Sequence, residues 1–407
     1  MKLFRTLISQ EKALKIVLAY VNRTEKETIS FDEAFGRILA EDIQSPIDSP
    51  PFNRAAMDGY AIRGENSFGA TPNNSVFLRR KEVVAAAGEQ VKKTEIGEEE
   101  YLPVQTGMPM PKGSNAVVML EYTKESDNKL EIFKPVTPGK NVSPKGEDVK
   151  KGEVVLKEGK VLRAHDIGML ASLYKTRVKV YKRSRIGIIS TGDEITDPKS
   201  PVSGNKVADV NSYVLEALVK GIAVPYRAGI LRDDYETIKK AIATSLDDCD
   251  GLLITGGSSV GKRDFLADAV EELGELLFHG VAIRPGEPTG FGIIDNKPVF
   301  VLPGYPVATI SAFEMLVKPF LFAVHGVKEE RVKIVAVASK KIPSAVGRSD
   351  FVRVKLSYTE DGYSVEPLRV SGSGILSSMT KSNGFAVIEE NKEGVEEGEK
   401  QEVNVWD

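Results

Sequence analysis

Hydrophobic residues at helical spacing mark the two ends of the N-terminal region. The first of these patterns follows Ser9, a residue type that caps helices. Residues 30–40 open with a capping-box sequence and predict a second short helix, and residues 165–174 predict a third. Because the helical segments flank a region with another pattern, residues 1–45 and 141–180 are predicted to form one discontinuous helical or linker domain.

The intervening region, residues 46–140, carries short β-like runs separated by glycine, proline and acidic clusters. This pattern is typical of an antiparallel β domain, here inserted into the first domain. The predicted strands cover residues 76–78, 83–85, 101–104, 116–121 and 130–133.

The inserted domain begins with a stiff loop, PPFNRAAMDGYAIR at residues 50–63. Its two prolines cannot continue a helix or a β-ladder, and Asp58-Gly59 favours a turn with positive φ. An isolated Asp-Gly pair is most often a plain surface turn. Any other interpretation of Asp58 depends on the rest of the chain.

From residue 181 onward the pattern is that of buried strands alternating with helices. Short apolar runs at 185–190 and 251–255 are bounded by glycine, and helical periodicity lies between them. The alternation continues through 264–273, 275–283, 299–302 and 307–324. Residues 181–327 are therefore predicted to form an α/β domain with a mainly parallel sheet.

Residues 328–407 return to β-like runs and predict a small C-terminal all-β domain. The fold class is thus a multidomain α/β plus β protein, built from a central α/β domain, an inserted β module, a helical or linker domain and this β domain. The predicted C-terminal strands cover residues 332–339, 351–358, 363–368, 384–389 and 403–406.

Composition narrows the function classes. A chain of 407 residues with 41% hydrophobic and 28% charged residues is typical of a globular protein with two to four domains. A net charge of −3 gives no basic field for nucleic acid or an anionic membrane. The single Cys249 excludes an intramolecular disulfide, and three widely separated histidines disfavour a zinc site. No apolar run is expected to span a membrane, so the protein is predicted to be cytoplasmic.

Acidic residues collect where the strands of the α/β domain end. The strand at 185–190 leads into a turn that contains Glu194, and Asp233 follows another apolar run. Asp264 begins the helix after the strand at 251–255. Because ligands bind at the carboxyl ends of parallel strands, these carboxylates are expected at one edge of the sheet.

The segment TGGSSVGKRD at 255–264 suggests an anion site at the same edge. Glycines let backbone N–H groups approach an anion, serines add donors and a helix N-terminus adds its dipole. The spacing fits neither a Walker loop nor the GxGxxG fingerprint. The predicted phosphate-binding residues are Gly256, Gly257, Ser258, Ser259 and Gly261.

Two proline-flanked turns, RPGEP at 284–288 and LPGYP at 302–306, are predicted to join this edge and to contribute substrate-binding residues. Each turn and each acid also has a plain interpretation, as a tight connection or a helix cap. Together they indicate a site for phosphate and Mg²⁺, because carboxylates repel phosphate unless a cation lies between them. The candidate metal ligands are Glu194, Asp233 and Asp264, and the candidate turn residues are Arg284, Pro303, Gly304 and Pro306.

Seven motifs, in order over essentially the whole chain, resemble the MoeA family of molybdopterin molybdenumtransferases, to which the C-terminal domain of gephyrin is related. They are PPFNRAAMDGYA, TGMPMPKGSNAVVMLE, KGEDV, STGDEI, TGGSSVGKRD, RPGEPTGFG and LPGYPVA. The resemblance implies that adenylylated molybdopterin and molybdate, or tungstate, give metallated cofactor and AMP with Mg²⁺ required. It also implies a homodimer with an active cleft shared between subunits, and the pathway's adenylyltransferase as a further partner.

The resemblance gives roles to single residues. It makes Asp58 a catalytic or metal-positioning carboxylate, which explains a stiff loop, and it adds Thr106 and Asp148 as functional positions. A turn-stabilising hydroxyl at Thr106 and a solvated charge at Asp148 stay open as alternatives. Arg284 is the candidate for binding the molybdate oxyanion.

Three positions depart from the family pattern. Glu287 stands where lysine is usual, Arg284 where lysine is common, and Tyr305 where asparagine is frequent. Arginine keeps the positive charge with another geometry, whereas Glu287 removes one expected cation. These changes bear on how the oxyanion is bound and on whether tungstate is preferred.

Three other functions compete. An adenylyltransferase of the same pathway resembles residues 184–326 alone, and the inserted domain argues against it. A dimeric scaffold for partner proteins, or a phosphate-binding protein without catalysis, would not need the carboxylates at Asp58, Glu194 and Asp264.

Overall fold

The computed structural model describes residues 7–82, 88–201, 204–256, 264–368 and 372–406. The chain divides into two compact units, the smaller one Thr28–Val180 and the larger one Met1–Glu27 with Tyr181–Asp407. The multidomain α/β plus β architecture is as predicted, and the predicted domain boundaries stay predictions. The predicted discontinuous domain of residues 1–45 and 141–180 is divided between the two units, because Met1–Glu27 belongs to the larger one. The strand predicted at residues 83–85 lies outside the described residues.

The smaller unit contains a six-stranded sheet in which the strands Gly59–Ile62 and Glu100–Val104 are largely buried. The predicted antiparallel pairing is correct except between Val76–Arg80 and Glu100–Val104, which run parallel. In sheet order the strands are Ala116–Met119, Gly59–Ile62, Glu100–Val104, Val76–Arg80, Lys129–Ile132 and Thr123–Ser126. Its other elements are Phe31–Glu33, Ile43–Gln44, Arg54–Ala55, Gly64–Ser67, Gly88–Lys93, Leu120–Tyr122, Val142–Ser143, Val154–Leu156 and Ala164–Ser172.

The helix predicted over residues 30–40 is wrong beyond its first turn. Only Phe31–Glu33 forms a 3-10 turn, and the Ser30 side chain makes no capping hydrogen bond. Ile38 and Leu39 instead form β-bridges with later segments of the unit. Tertiary pairing therefore overrides a local helix signal, whereas the helix predicted at 165–174 is confirmed as Ala164–Ser172.

The larger unit is built on a six-stranded sheet. Its strands are β1 Arg185–Thr191, β2 Val224–Leu231, β3 Gly251–Thr255, β4 Glu275–His279, β6 Gly290–Ile294 and β7 Lys297–Leu302. Their order in the sheet is β2-β1-β3-β7-β6-β4. The three pairings from β2 to β7 are parallel and the two from β7 to β4 are antiparallel, so the predicted mainly parallel sheet is confirmed. A short strand β5, Ile283–Arg284, lies between β4 and β6 in the chain.

Alternate residues of the central strands fill two cores, one on each face of the sheet. On β1, for example, Ile186 and Ile188 belong to one core and Ile189 to the other. This two-sided burial explains why the strands are continuous apolar runs. The helices that cover the sheet are α1 Gln10–Ala19, α2 Asn211–Lys220, α3 Tyr235–Asp248, α4 Phe265–Leu273, α5 Pro306–Ala312 and α6 Lys318–Val324. In α1 the predicted cap is confirmed, because the Ser9 side chain accepts from the Lys12 N–H.

The last helical run contradicts the expectation that no apolar segment has spanning length. Pro306–Val324 is long and apolar enough to cross a membrane by length and composition, but 78% of it is buried inside the protein, as in a core helix. A π-helical turn, Phe313–Val317, joins α5 to α6.

The C-terminal part of the larger unit forms a closed ring of five strands. The five predicted strands are confirmed as Lys333–Ala338, Ser349–Thr359, Gly362–Pro367, Gly384–Ile388 and Lys400–Val405. The predicted element at 275–283 is wrong as one strand, because β5 leaves the α/β sheet and pairs in parallel with Ser349–Thr359.

Candidate active site

The Asp58 carboxylate is held at the start of a buried strand. Gly59 begins the strand Gly59–Ile62, and a Cβ at this glycine would lie 2.0 Å from the Val118 carbonyl oxygen. Asp58 Oδ1 accepts hydrogen bonds from the Thr106 N–H at 2.6 Å and the Thr106 hydroxyl at 2.8 Å. These two bonds hold the pKa of Asp58 below its ordinary 3.8. Asp58 is thus an ionised, solvent-exposed carboxylate with one fixed oxygen.

Asp148 lies on a neighbouring segment of the same unit. Its N–H donates to the Ser49 carbonyl at 3.0 Å, and the Lys145 N–H donates to Asn53 Oδ1 at 2.8 Å. The KGEDV segment therefore braces the residues that precede Asp58. The Asp148 side chain is exposed. Its predicted functional role stays a prediction.

At the carboxyl edge of the α/β sheet, three carboxylates share one electrostatic neighbourhood. Partial burial and repulsion by Asp193 and Glu194 raise the pKa of Asp233 above 3.8. The turn is compact, since a Cβ at Gly192 would lie 3.0 Å from a Glu194 carboxylate oxygen. This repulsion disfavours ionisation of Asp233 in the folded protein.

Asp264, at the same edge of the sheet, contacts the start of α4 and a buried histidine. Its Oδ1 accepts from the N–H groups of Leu266 and Ala267 at 3.2 and 3.3 Å, which caps α4. Its Oδ2 lies 3.2 Å from Nε2 of the buried His279. Burial would raise the pKa of Asp264, but the adjacent His279 imidazole and the backbone N–H groups outweigh it and lower the pKa. Among the described residues no three Asp, Glu, His or Cys side chains converge as metal ligands. The metal-binding roles of Glu194, Asp233 and Asp264 stay predictions.

The end of β3 is tightly packed against β1. Gly256 has φ +138°, and a Cβ there would lie 2.0 Å from Thr191 Oγ1, so only glycine fits. The predicted phosphate-binding residues Gly257, Ser258, Ser259 and Gly261 lie outside the described residues. Gly304 of the LPGYP turn approaches Gly256 closely, because a Cβ at Gly304 would lie 3.7 Å from the Gly256 Cα.

A buried polar network beneath this edge escaped the sequence prediction. Asp209 accepts from the Ser190 hydroxyl at 2.9 Å and from the Ser212 hydroxyl at 2.6 Å. Asn211 donates to the Gly304 carbonyl at 2.8 Å. The only sequence signal is Asp-Val-Asn-Ser at residues 209–212, where the helical periodicity between β1 and β3 begins. The network ties β1, α2 and the LPGYP turn together, so the edge is held in one arrangement.

Arg284 is not at this edge, because β5 belongs to the C-terminal sheet. It lines an open cleft of about 790 Å³ between the RPGEP turn, the LPGYP turn and the C-terminal strands. Its guanidinium binds the buried Asp350 carboxylate, which also accepts from the Ser344 hydroxyl at 2.8 Å. The ionisable residues that line the cleft are Arg284, Lys341, Arg353, Glu287 and Asp350.

The LPGYP turn contacts both regions. Pro303 and Tyr305 line the cleft, Gly304 packs on Gly256, and Pro306 is the first residue of α5. Pro306 suits that position because its fixed φ is helical and it has no N–H to satisfy. The turn is therefore shared by the edge and the cleft of the larger unit.

Comparisons with known proteins decide the family. Three family models match in order: MoeA N-terminal region (domain I and II) at residues 8–173, "Probable molybdopterin binding domain" at 187–323, and MoeA C-terminal region (domain IV) at 335–406. A protein named molybdopterin molybdenumtransferase from Haemophilus influenzae is 33% identical over 92% of this chain and 93% of its own. The chain belongs to the MoeA family. A molybdopterin biosynthesis protein of Methanocaldococcus jannaschii is 44% identical over 98% of both chains.

The MoeA fold is also evident from solved structures. The crystal structure of a molybdopterin biosynthesis MoeA protein from Pyrococcus horikoshii OT3 is 37% identical, with a TM-score of 0.84 over 98% of this chain and all of that one. This MoeA-family chain thus has a relative of known structure along nearly its whole length. Relatives from Haemophilus influenzae and Staphylococcus aureus are named molybdopterin molybdenumtransferase, which is a transferase.

The contacts of Asp264 predict that this residue contributes to the stability of the folded protein. Asp264→Ala should lower the free energy of unfolding by about 1–3 kcal/mol at pH 7, because it removes a helix cap and the partner of a buried histidine. The lowered pKa means that this contribution exists above pH 3.8 and is lost as pH falls through the folded-state value. Urea unfolding at several pH values measures it.

Asp264→Asn serves as the matched control, since asparagine also caps helices. It should retain more of the stability than alanine does. If Asp264→Ala unfolds at the wild-type urea concentration, the cap and the His279 contact contribute nothing and the assignment is wrong.

Proposed function

We propose that the chain is a molybdopterin molybdenumtransferase that inserts molybdate, or tungstate, into adenylylated molybdopterin and releases AMP in a Mg²⁺-dependent reaction. The single observation that carries the proposal is the ionised Asp58 carboxylate fixed by Thr106, on the motif that distinguishes this family. A carrier or scaffold has no use for an exposed carboxylate held in one orientation.

Asp58 would act through its free oxygen. With Oδ1 engaged by Thr106, Oδ2 is the atom presented to a substrate or to a substrate-bound cation. The lowered pKa keeps the carboxylate ionised at neutral pH, which suits it to binding a cation. Thr106 is then a positioning residue, and Asp148 acts through the segment that braces the loop.

The residues at the sheet edge fit Mg²⁺. Mg²⁺ usually takes only one or two protein carboxylates with several waters, so it does not require three converging side chains. Glu194 and Asp233 would hold it, because their mutual repulsion is relieved by a cation. Bound there, Mg²⁺ supplies charge neutralisation for the leaving phosphate. The backbone of the Gly256 segment would cradle the pterin's phosphate, and Asp264 would fix the start of α4 beside it.

The cleft fits a tetrahedral oxyanion near Arg284. Arginine presents planar donors that match oxyanion geometry, and Asp350 orients the guanidinium from behind. Arg353 also lines the cleft, while its buried guanidinium donates to the Ser378 hydroxyl at 3.3 Å. Pro303, Gly304 and Pro306 would shape the path from this cleft to the sheet edge.

The assembly is proposed to be a homodimer with an active cleft shared between subunits, located in the cytoplasm. The pathway's adenylyltransferase, which makes the substrate, is a proposed partner. An adenylyltransferase activity for this chain itself is disfavoured, because the match to MoeA includes residues 8–173.

The test follows AMP release from adenylylated molybdopterin by purified protein with Mg²⁺ and with molybdate, tungstate or neither. Arg284→Ala should raise the oxyanion concentration for half-maximal release by about tenfold or more, since a charge-assisted bidentate contact is lost. Asp350→Asn is the control, because it loosens Arg284 without removing its charge. Oxyanion-independent release by the wild type would reject the function, and an unchanged oxyanion requirement in Arg284→Ala would reject the assignment.

A further inference from the structure

Glu287 is the charged residue of the cleft for which the structure shows no side-chain partner among the described residues. Glu287 lines the cavity and is half-buried, and its carboxylate makes no hydrogen bond or ion pair with any residue that the structure describes. Arg284, three residues earlier, binds Asp350 instead. A carboxylate is an acceptor with two oxygens, so a half-buried one in a ligand cleft is suited to a ligand that presents hydrogen-bond donors.

The cleft is also too large and too apolar for an oxyanion alone. At about 790 Å³ it lies within the range of small-molecule sites, about 300–1,000 Å³, which are mostly apolar with a few polar groups. Its apolar lining includes Pro285, Pro288 and Leu368. Tyr305 adds an aromatic side chain that is 62% exposed. An exposed aromatic ring on a cleft wall offers a stacking surface for a flat heterocycle.

We propose that this cleft binds the pterin ring system of the substrate, with Glu287 accepting hydrogen bonds from its 2-amino group and its N3–H. These two donors lie side by side on the pterin edge, as the two oxygens do on a carboxylate, so the contact is bidentate. Tyr305 stacks on the ring. The inference rests on the proposed function and names the part of the substrate that the cleft recognises.

The LPGYP turn makes the assignment consistent with one extended substrate. Its Gly304 packs on Gly256 at the sheet edge, while Pro303 and Tyr305 line the cleft. A molecule with a pterin at one end and phosphates at the other can therefore follow the turn from Glu287 to the carboxylates of the edge. The oxyanion then meets Arg284 between the two ends.

The experiment compares two probes by fluorescence titration, 6-hydroxymethylpterin and 6-hydroxymethyllumazine, which carries an oxo group in place of the 2-amino group. Wild type should bind the pterin about tenfold or more tightly than the lumazine. Glu287→Gln, which replaces one acceptor oxygen by a donor, should lose most of this preference. Glu360→Gln, an exposed position on the turn between two C-terminal strands, should keep it.

Molybdate binding by Glu287→Gln serves as the folding control, and it should be unchanged or tighter because a like charge has been removed. Equal binding of both probes by wild type, no pterin binding up to millimolar concentration, or an intact preference in Glu287→Gln would each overturn the proposal. Wild-type AMP release is scored separately. If the wild type releases AMP but Glu287→Gln keeps the full preference for the pterin, this inference alone is rejected. If the wild type releases no AMP, the proposed function is rejected.

Discussion

Asp58→Ala is expected to reduce oxyanion-dependent AMP release by about 100-fold or more while leaving the fold intact. The residue is exposed and contributes no core packing, so its removal should not move the unfolding midpoint appreciably. Its carboxylate is already ionised and held in one orientation by Thr106, which is what a group that positions a cation requires. The measurement is single-turnover AMP release at saturating molybdate and Mg²⁺.

Asp127→Asn, an exposed acid on a turn of the same unit, is the matched control and should keep full activity. Thr106→Val should fall between the two, because it removes one of the two bonds that fix the carboxylate. Mixing Asp58→Ala subunits with Asp233→Asn subunits tests the shared cleft, since a heterodimer then has one intact site. No recovery on mixing would place both residues in the same subunit's site, and full activity of Asp58→Ala would remove its catalytic role.

Periodicity was sufficient for the α/β architecture. The runs that became β1 and β3 are apolar on both faces, and this two-sided burial allows only a sheet covered by helices on both sides. The prediction of a single strand over residues 275–283 was wrong, because apolar periodicity does not show where a chain leaves one sheet for another. The apolar residues of this segment give no sign that the chain turns at Gly280, where φ is +120°, and that β5 then joins a different sheet.

Site residues were predictable where chemistry is local and not where it depends on distant partners. Asp264 follows a strand and begins a helix, so its role as a helix cap could be predicted from the sequence. Its contact with His279 could not, because that contact depends on where β4 pairs in the sheet. Arg284 binds Asp350, 66 residues away, and the sequence offers no signal for that pair. Asp209 was missed because a buried acid satisfied by serines has the same sequence appearance as a solvated one.

Asp233→Asn is expected to have opposite effects on stability and on Mg²⁺ response. The pKa of Asp233 is raised above 3.8, so its ionisation is disfavoured in the folded protein without a cation. A raised pKa contributes stability below pH 3.8 and loses it as pH rises through the folded-state value. At neutral pH the uncharged asparagine should therefore make the Mg²⁺-free protein more stable than the wild type, and below pH 3.8 the two should converge.

Mg²⁺ should then stabilise the wild type and not the variant. A ligand at a hundred times its dissociation constant adds about 2.7 kcal/mol to the free energy of unfolding, and that increment should largely vanish in Asp233→Asn. Asp234→Asn is the matched control, because asparagine keeps the cap that Asp234 provides to the Thr237 N–H at 2.8 Å while removing an adjacent charge. Thermal unfolding with and without Mg²⁺ measures both effects. If Asp233→Asn lowers the stability of the Mg²⁺-free protein, Asp233 is not destabilised by repulsion from its neighbours. If the variant keeps the full Mg²⁺ increment, Asp233 does not bind the ion.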